Sequence, residues 1–199
     1  MSKKQGFLQR FTLYDLLIIA VMATLGIVLK PIIVPLAHLV SGPLMIPGGA
    51  LAGGLYMLWL VVGFGLVGKY GTATLIGFTQ ALVVMFTGVI GSHGILTLAS
   101  YTAPGMVMDL GLLLLGHRVC CKPCAFAAGL TANITGTFVV NFIFFSLPGV
   151  FLLLTLTVAA LSGGVGGLLA WQLLRLLDKY HLHPQERKNY VRAEKESVL

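Results

Sequence analysis

Tyr56, Trp59, Gln80, Thr97, Tyr101, Asn133 and Asn141 are hydrogen-bonding side chains set inside long apolar runs, and His38 and His93 stand in connections between those runs. Amides, hydroxyls and aromatic rings in such surroundings suit a binding cavity, where apolar walls hold a small molecule and a few polar groups orient it. They do not suit a catalyst. A catalytic site needs a nucleophile beside a base, or clustered metal ligands. The apolar runs contain no paired carboxylates, no His-x-x-x-His and no Gly-x-Ser motif. Neither an enzymatic activity nor a resident cofactor or metal is therefore expected. His38 and His93 are the one pair that could meet and hold a metal or haem, and that alternative stays open. The densest grouping is the hairpin Tyr70–Met108: Gln80 lies on its first arm, His93 in its turn, Thr97 and Tyr101 on its second arm.

The elements that position these groups must be membrane helices. The 199 residues are 57% hydrophobic and only 10% charged, with a mean hydropathy of +0.96. Soluble domains carry about 25% charged residues. Six apolar runs are each near the roughly 20 residues needed to cross a bilayer. They cover Leu13–Leu29, Ala50–Val67, Gly71–Val89, Ile95–Leu115, Ala125–Phe145 and Val150–Leu177. The predicted fold class is an all-α integral membrane protein with six transmembrane helices.

Charge sets the orientation. Lys3, Lys4 and Arg10 precede the first span, Lys69 follows the second, His117, Arg118 and Lys122 follow the fourth, and Arg175 onward follow the sixth. Because basic residues collect on the cytoplasmic side, both termini are expected there. Residues 1–177 then form one six-helix domain and 178–199 a polar cytoplasmic tail. The net charge of +7 reports topology and gives no reason to expect nucleic-acid binding. Lys30 is the exception to the pattern, at the outer end of the first span.

Residues 30–49 contain Pro31, Pro35, Pro43 and Pro47 with Gly42, Gly48 and Gly49. That density of helix breakers predicts a long outer loop, tolerated near lipid only where protein or a cavity covers it. The apolar run at the N-terminus is long for a signal peptide and no small-residue cleavage site follows it. It reads as a retained span. Asp15 is expected to reach the cytoplasmic surface or to meet Arg10, and Asp109 to face the interior or pair with Arg118. Pro104 is expected to kink its helix and free the carbonyl near position 100. Cys120, Cys121 and Cys124 fall in a cytoplasmic loop without a second pair to complete a metal site.

Two surfaces follow from helical spacing. Ala20, Ala23 and Thr24 give the first span a face of small residues on which another helix can approach closely, from within the bundle or from a partner subunit. Asn133, Thr137 and Asn141 recur every fourth residue on the fifth span. No chain of ionisable residues crosses the membrane to act as a proton or sodium relay, so a transport function would draw its energy from another subunit.

Six spans in about 200 residues, small residues on the first of them and a long outer first loop resemble the substrate-binding S-components of energy-coupling-factor (ECF) transporters. The stretch Gly68-Lys69-Tyr70-Gly71-Thr72-Ala73 through Thr87-Gly88, Gly94 and Asp109 is most similar to the YkoE-type branch. That branch is linked with thiamine or its hydroxymethylpyrimidine precursor, and some relatives carry a cobalt-permease label. The resemblance implies a chain in the bacterial cytoplasmic membrane, surrounded by lipid, that captures a vitamin-class molecule in its outer half. It would work with a coupling membrane subunit and two ATPase subunits. Ala20 and Thr24 stand where the family's A-x-x-x-A motif docks the coupling subunit, and Lys69 would lie on the same side. Thiamine-binding relatives place acidic residues on the third span, where Gly77 and Val84 stand here. A neutral aromatic or cofactor-precursor ligand is therefore expected. Two other readings remain: a metal or haem uptake component using His38 and His93, and a structural or assembly protein whose polar stripes only join helices.

Overall fold

Among the described residues six helices follow one another: α1 Leu13–Ser41, α2 Gly48–Val67, α3 Thr72–Thr87, α4 Leu96–Leu114, α5 Lys122–Val140 and α6 Gly149–Lys179. The computed structural model describes residues 10–44, 46–88, 94–114, 119 and 121–179. α5 continues into one π-helical turn, Asn141–Phe145. Among the described residues α1, α2, α5 with its π turn, and α6 are long and apolar enough to cross a membrane. α3 is a shorter apolar helix. α6 packs chiefly on α5 and α2, α2 on α1, and α3 on α4.

α1 starts where a polar side chain can replace the missing helical partners. Thr12 caps it: the Asp15 amide donates to Thr12 Oγ1 at 3.3 Å, and the Thr12 amide donates to Asp15 Oδ2 at 2.7 Å. Lys69, at the α2–α3 connection, donates to the same carboxylate and to the Arg10 carbonyl at 2.8 Å. Asp15 thus pairs with Lys69, and Arg10 contributes only backbone.

α1 does not stop at Leu29. It runs through Pro31 and Pro35 to Ser41, so the outer loop expected over 30–49 shrinks to the short 3-10 turn Gly42–Leu44 and the residues leading to Gly48. The reason is the surroundings. In an apolar medium a loop would leave every backbone group unpaired, whereas each proline in a helix forfeits only one bond. The extension carries Lys30, Val34 and His38 on one stripe, four residues apart.

The α2–α5–α6 junction is held by close backbone approach and by polar side chains. A Cβ on Gly166 would overlap the Gly54 carbonyl oxygen, so the α2–α6 crossing needs glycine there. Asn133, fully buried on α5, donates to the Ala50 carbonyl of α2 at 3.0 Å and the Ala159 carbonyl of α6 at 2.8 Å. Ser162 accepts from the Gly54 amide at 3.0 Å and donates to the Leu51 carbonyl.

The α3–α4 pair is pinned by Asp109. Its carboxylate accepts from the Thr74 hydroxyl at 2.6 Å, the Thr74 amide at 2.8 Å and the Ala73 amide at 3.4 Å. Negative charge at a helix N-terminus meets unpaired amides and the positive end of the macrodipole. Asp109 therefore faces the interior, as one of the two expectations had it; Arg118 lies outside the described residues. α4 runs through Pro104 without a break in its helix.

Candidate functional site

The two ends of the bundle differ. At one end lie Lys69, Asp15 and Asp109 with the start of α3. At the other, the C-terminal part of α1, the first turn of α2, Ser100 and Tyr101 of α4, the end of α5 and Thr155 of α6 surround a cavity of about 500 Å³. That size falls within the usual range for small-molecule sites.

α1 contributes Lys30, Val34 and His38. α2 enters against this stripe: a Cβ on Gly48 would come 2.7 Å from the Val34 carbonyl oxygen and 2.8 Å from the His38 amide. Only a glycine lets the first turn of α2 close that wall. Ile46, Pro47, Val140, Phe145 and Leu147 supply apolar surface.

Lys30 is the principal charged group. Its Nζ donates to the Tyr101 hydroxyl at 2.6 Å and lies 4.0 Å from the Tyr101 ring centroid and 5.4 Å from that of Tyr56. Cation–π contacts return about 0.5–2 kcal/mol. Taking an ammonium out of water costs several kcal/mol. The rings alone therefore do not offset its desolvation once water leaves the cavity. The Tyr56 hydroxyl is already committed, donating to the Gly49 carbonyl at 3.0 Å.

Asn141 lines the cavity at the π turn that ends α5. Its Oδ1 accepts from the Leu147 amide at 3.0 Å. Its Nδ2, and the Oγ1 of Thr155, another lining residue, are buried without a hydrogen-bond partner. π turns inside α-helices frequently mark functional sites, and Ser146 closes this one in a left-handed conformation, φ 47°.

Of the side chains expected to bind a ligand, His38, Tyr56, Tyr101 and Asn141 meet in this cavity. Gln80, Thr97, Trp59 and Asn133 do not line it. Gln80 is spent on bundle packing, donating to the Ala23 carbonyl of α1 at 3.4 Å, and Asn133 joins three helices. A buried amide in an apolar bundle finds neighbouring carbonyls whether or not a ligand exists. His93 lies outside the described residues, and with it the alternative in which it meets His38. Lys30, Ser100 and Thr155 are additions that sequence reasoning misses. The lone lysine away from every basic loop is the signal for the first; Ser100 and Thr155 give none.

On α1, Ala20 and Thr24 are exposed while Ala23 is buried in the core. Ala23 is accordingly withdrawn as a docking residue. Thr24 donates its hydroxyl to the Ala20 carbonyl at 2.9 Å and so presents a small, internally satisfied surface. Lys69 is engaged with Asp15 and the start of α1, which gives it a structural role at that end.

Comparison with known proteins gives two findings. The family model described as the permease component of an ABC-type cobalt transport system matches residues 14–135. The crystal structure of an S-component of an ECF transporter superposes with a TM-score of 0.73 at 17% identity, covering 94% of this chain and 98% of that one. At that identity the likeness establishes the fold. No curated protein sequence matches the chain.

Proposed function

This chain belongs to the permease-component family of ABC-type cobalt transport systems, and on that premise we propose that it is the substrate-capture subunit of an ECF importer. It is a multi-pass protein of the cytoplasmic membrane that serves transport and is not an enzyme. The observation carrying the proposal is the 500 Å³ cavity at the end of the bundle remote from the Lys69–Asp15 pair. All six helices cross the membrane with both termini in the cytoplasm, so the cavity opens toward the outer side, where a scarce molecule must be caught. The Lys69–Asp15 end faces the cytoplasm.

The captured molecule is organic and vitamin-sized. The Lys30 ammonium at the cavity wall repels a bare metal cation. This supports an organic ligand over the metal reading suggested by the family's description. The exposed Ala20–Thr24 face of α1 docks the coupling membrane subunit, and two ATPase subunits complete the importer. Residues 1–177 form the membrane domain and 178–199 a cytoplasmic tail.

The test is affinity purification of the tagged full-length chain from its native host. Recovery of a membrane subunit and two ATPases, with ATP-dependent uptake lost on deleting the chain, is the expected result. A chain that purifies without any ATPase would overturn the proposal.

A further inference from the structure

We propose that the molecule held in the cavity is a singly charged organic acid whose carboxylate pairs with Lys30. This rests on the reading of the chain as a substrate-capture subunit and names the chemistry of its substrate.

The first observation is charge without a counter-charge. Lys30 is the only lysine or arginine in sequence between Arg10 and Lys69. Asp15 sits on the same helix 15 residues away, about 22 Å at 1.5 Å per residue, and pairs with Lys69. Asp109 caps α3 near that same end. No carboxylate among the described residues lines the cavity. The Lys30 ammonium instead rests on the faces of Tyr101 and Tyr56.

The second observation is that Lys30 and the group it touches have donors to spare. An ammonium has three N–H groups, of which Tyr101 takes one. Having accepted from Lys30, the Tyr101 hydroxyl has its own proton to give. Asn141 also lines the cavity, its oxygen held by Leu147 and its Nδ2 unpartnered beneath the cavity surface. Thr155 Oγ1, buried and likewise unpartnered, can donate or accept. A carboxylate offers two oxygens with about four acceptor positions and no donor, the complement of this set. A phosphate monoester would bring nearly two negative charges to a single ammonium. A cationic ring would face Lys30 unfavourably. Around these groups Val34, Ile46, Val140 and Phe145 are apolar, so the rest of the acid is hydrophobic.

The experiment is native mass spectrometry of the full-length chain purified from rich medium, with the small molecules released on denaturation read in both ion polarities. Lys30→Met and Lys30→Arg are treated identically, and each variant's thermal unfolding is recorded. The wild type is expected to release one monocarboxylic acid per chain. Removing the partner of a desolvated carboxylate weakens binding about a hundredfold, so Lys30→Met should lose the acid during purification while Lys30→Arg retains it. Release of a neutral or cationic molecule, release of nothing, or equal retention by a folded Lys30→Met overturns the inference. The two readings fail separately. A chain that copurifies with ATPases but carries no acid sinks only the acid assignment. One that holds an acid but never assembles with an ATPase sinks only the importer reading.

Discussion

Replacing Asn133 by alanine separates a residue that binds ligand from one that binds helices together. Asn133 donates to carbonyls on both α2 and α6, at 3.0 and 2.8 Å, and is fully buried. Side-chain hydrogen bonds between membrane helices average about 0.6 kcal/mol and reach about 1.7. Two of them give about 1–3 kcal/mol, with a further contribution from the void left behind. For a chain of this size each kcal/mol moves the midpoint by about 2–4 °C, so Asn133→Ala should unfold about 4–8 °C below wild type in detergent. Asn133→Asp keeps the shape but replaces both donors with a buried charge, and should lose more. Because Asn133 does not line the cavity, Asn133→Ala should retain the copurifying small molecule whenever it is kept cold and folded. An unchanged midpoint together with loss of the bound molecule would refute this reasoning and return the amide to the ligand.

Asp109→Ala should strip the cap from α3 and destabilise the bundle by about 1–3 kcal/mol, with faster amide exchange at Ala73 and Thr74 as its local signature. Thr74→Val should reproduce part of the loss, since it removes only the hydroxyl donor. A double-mutant cycle on Asp15 and Lys69 should give a coupling of about 1 kcal/mol or less, because Lys69 is one-third exposed and solvent screens the pair. Thr24→Trp should abolish recovery of ATPase subunits while leaving the thermal midpoint near wild type. Ala23→Trp, one residue away but buried, should instead lower the midpoint by several degrees through overpacking.

Most of the helical frame is legible in the sequence. Periodicity and hydropathy place α2, α3, α4, α5 and α6 to within a few residues, because apolar length is a strong signal for a membrane helix. The outer end of α1 is where that reading fails. Pro31 and Pro35 read as breakers by a rule drawn from water, where a broken helix can be rehydrated; in an apolar bundle the helix is the cheaper state. The difference matters for the site, since Lys30, Val34 and His38 align into one wall of the cavity only if the helix continues. Side-chain chemistry alone does not separate Asn133 from Asn141. Both are buried amides on the same helical run two turns apart, but one meets two helix carbonyls and the other begins a π turn with its Nδ2 unpartnered. Ala23 and Thr24 differ likewise by one helical step, which sends one into the core and the other to the surface.

The central claim is that the cavity bordered by Val34, Tyr101 and Asn141 holds the molecule this chain delivers. The most direct measurement is the stoichiometry of small molecule released from purified wild-type chain and from Val34→Trp, whose indole would fill the cavity from α1. One organic molecule per wild-type chain, and none from a Val34→Trp protein of normal thermal midpoint, is the result the account predicts. Equal release from both proteins would place the molecule elsewhere and contradict it.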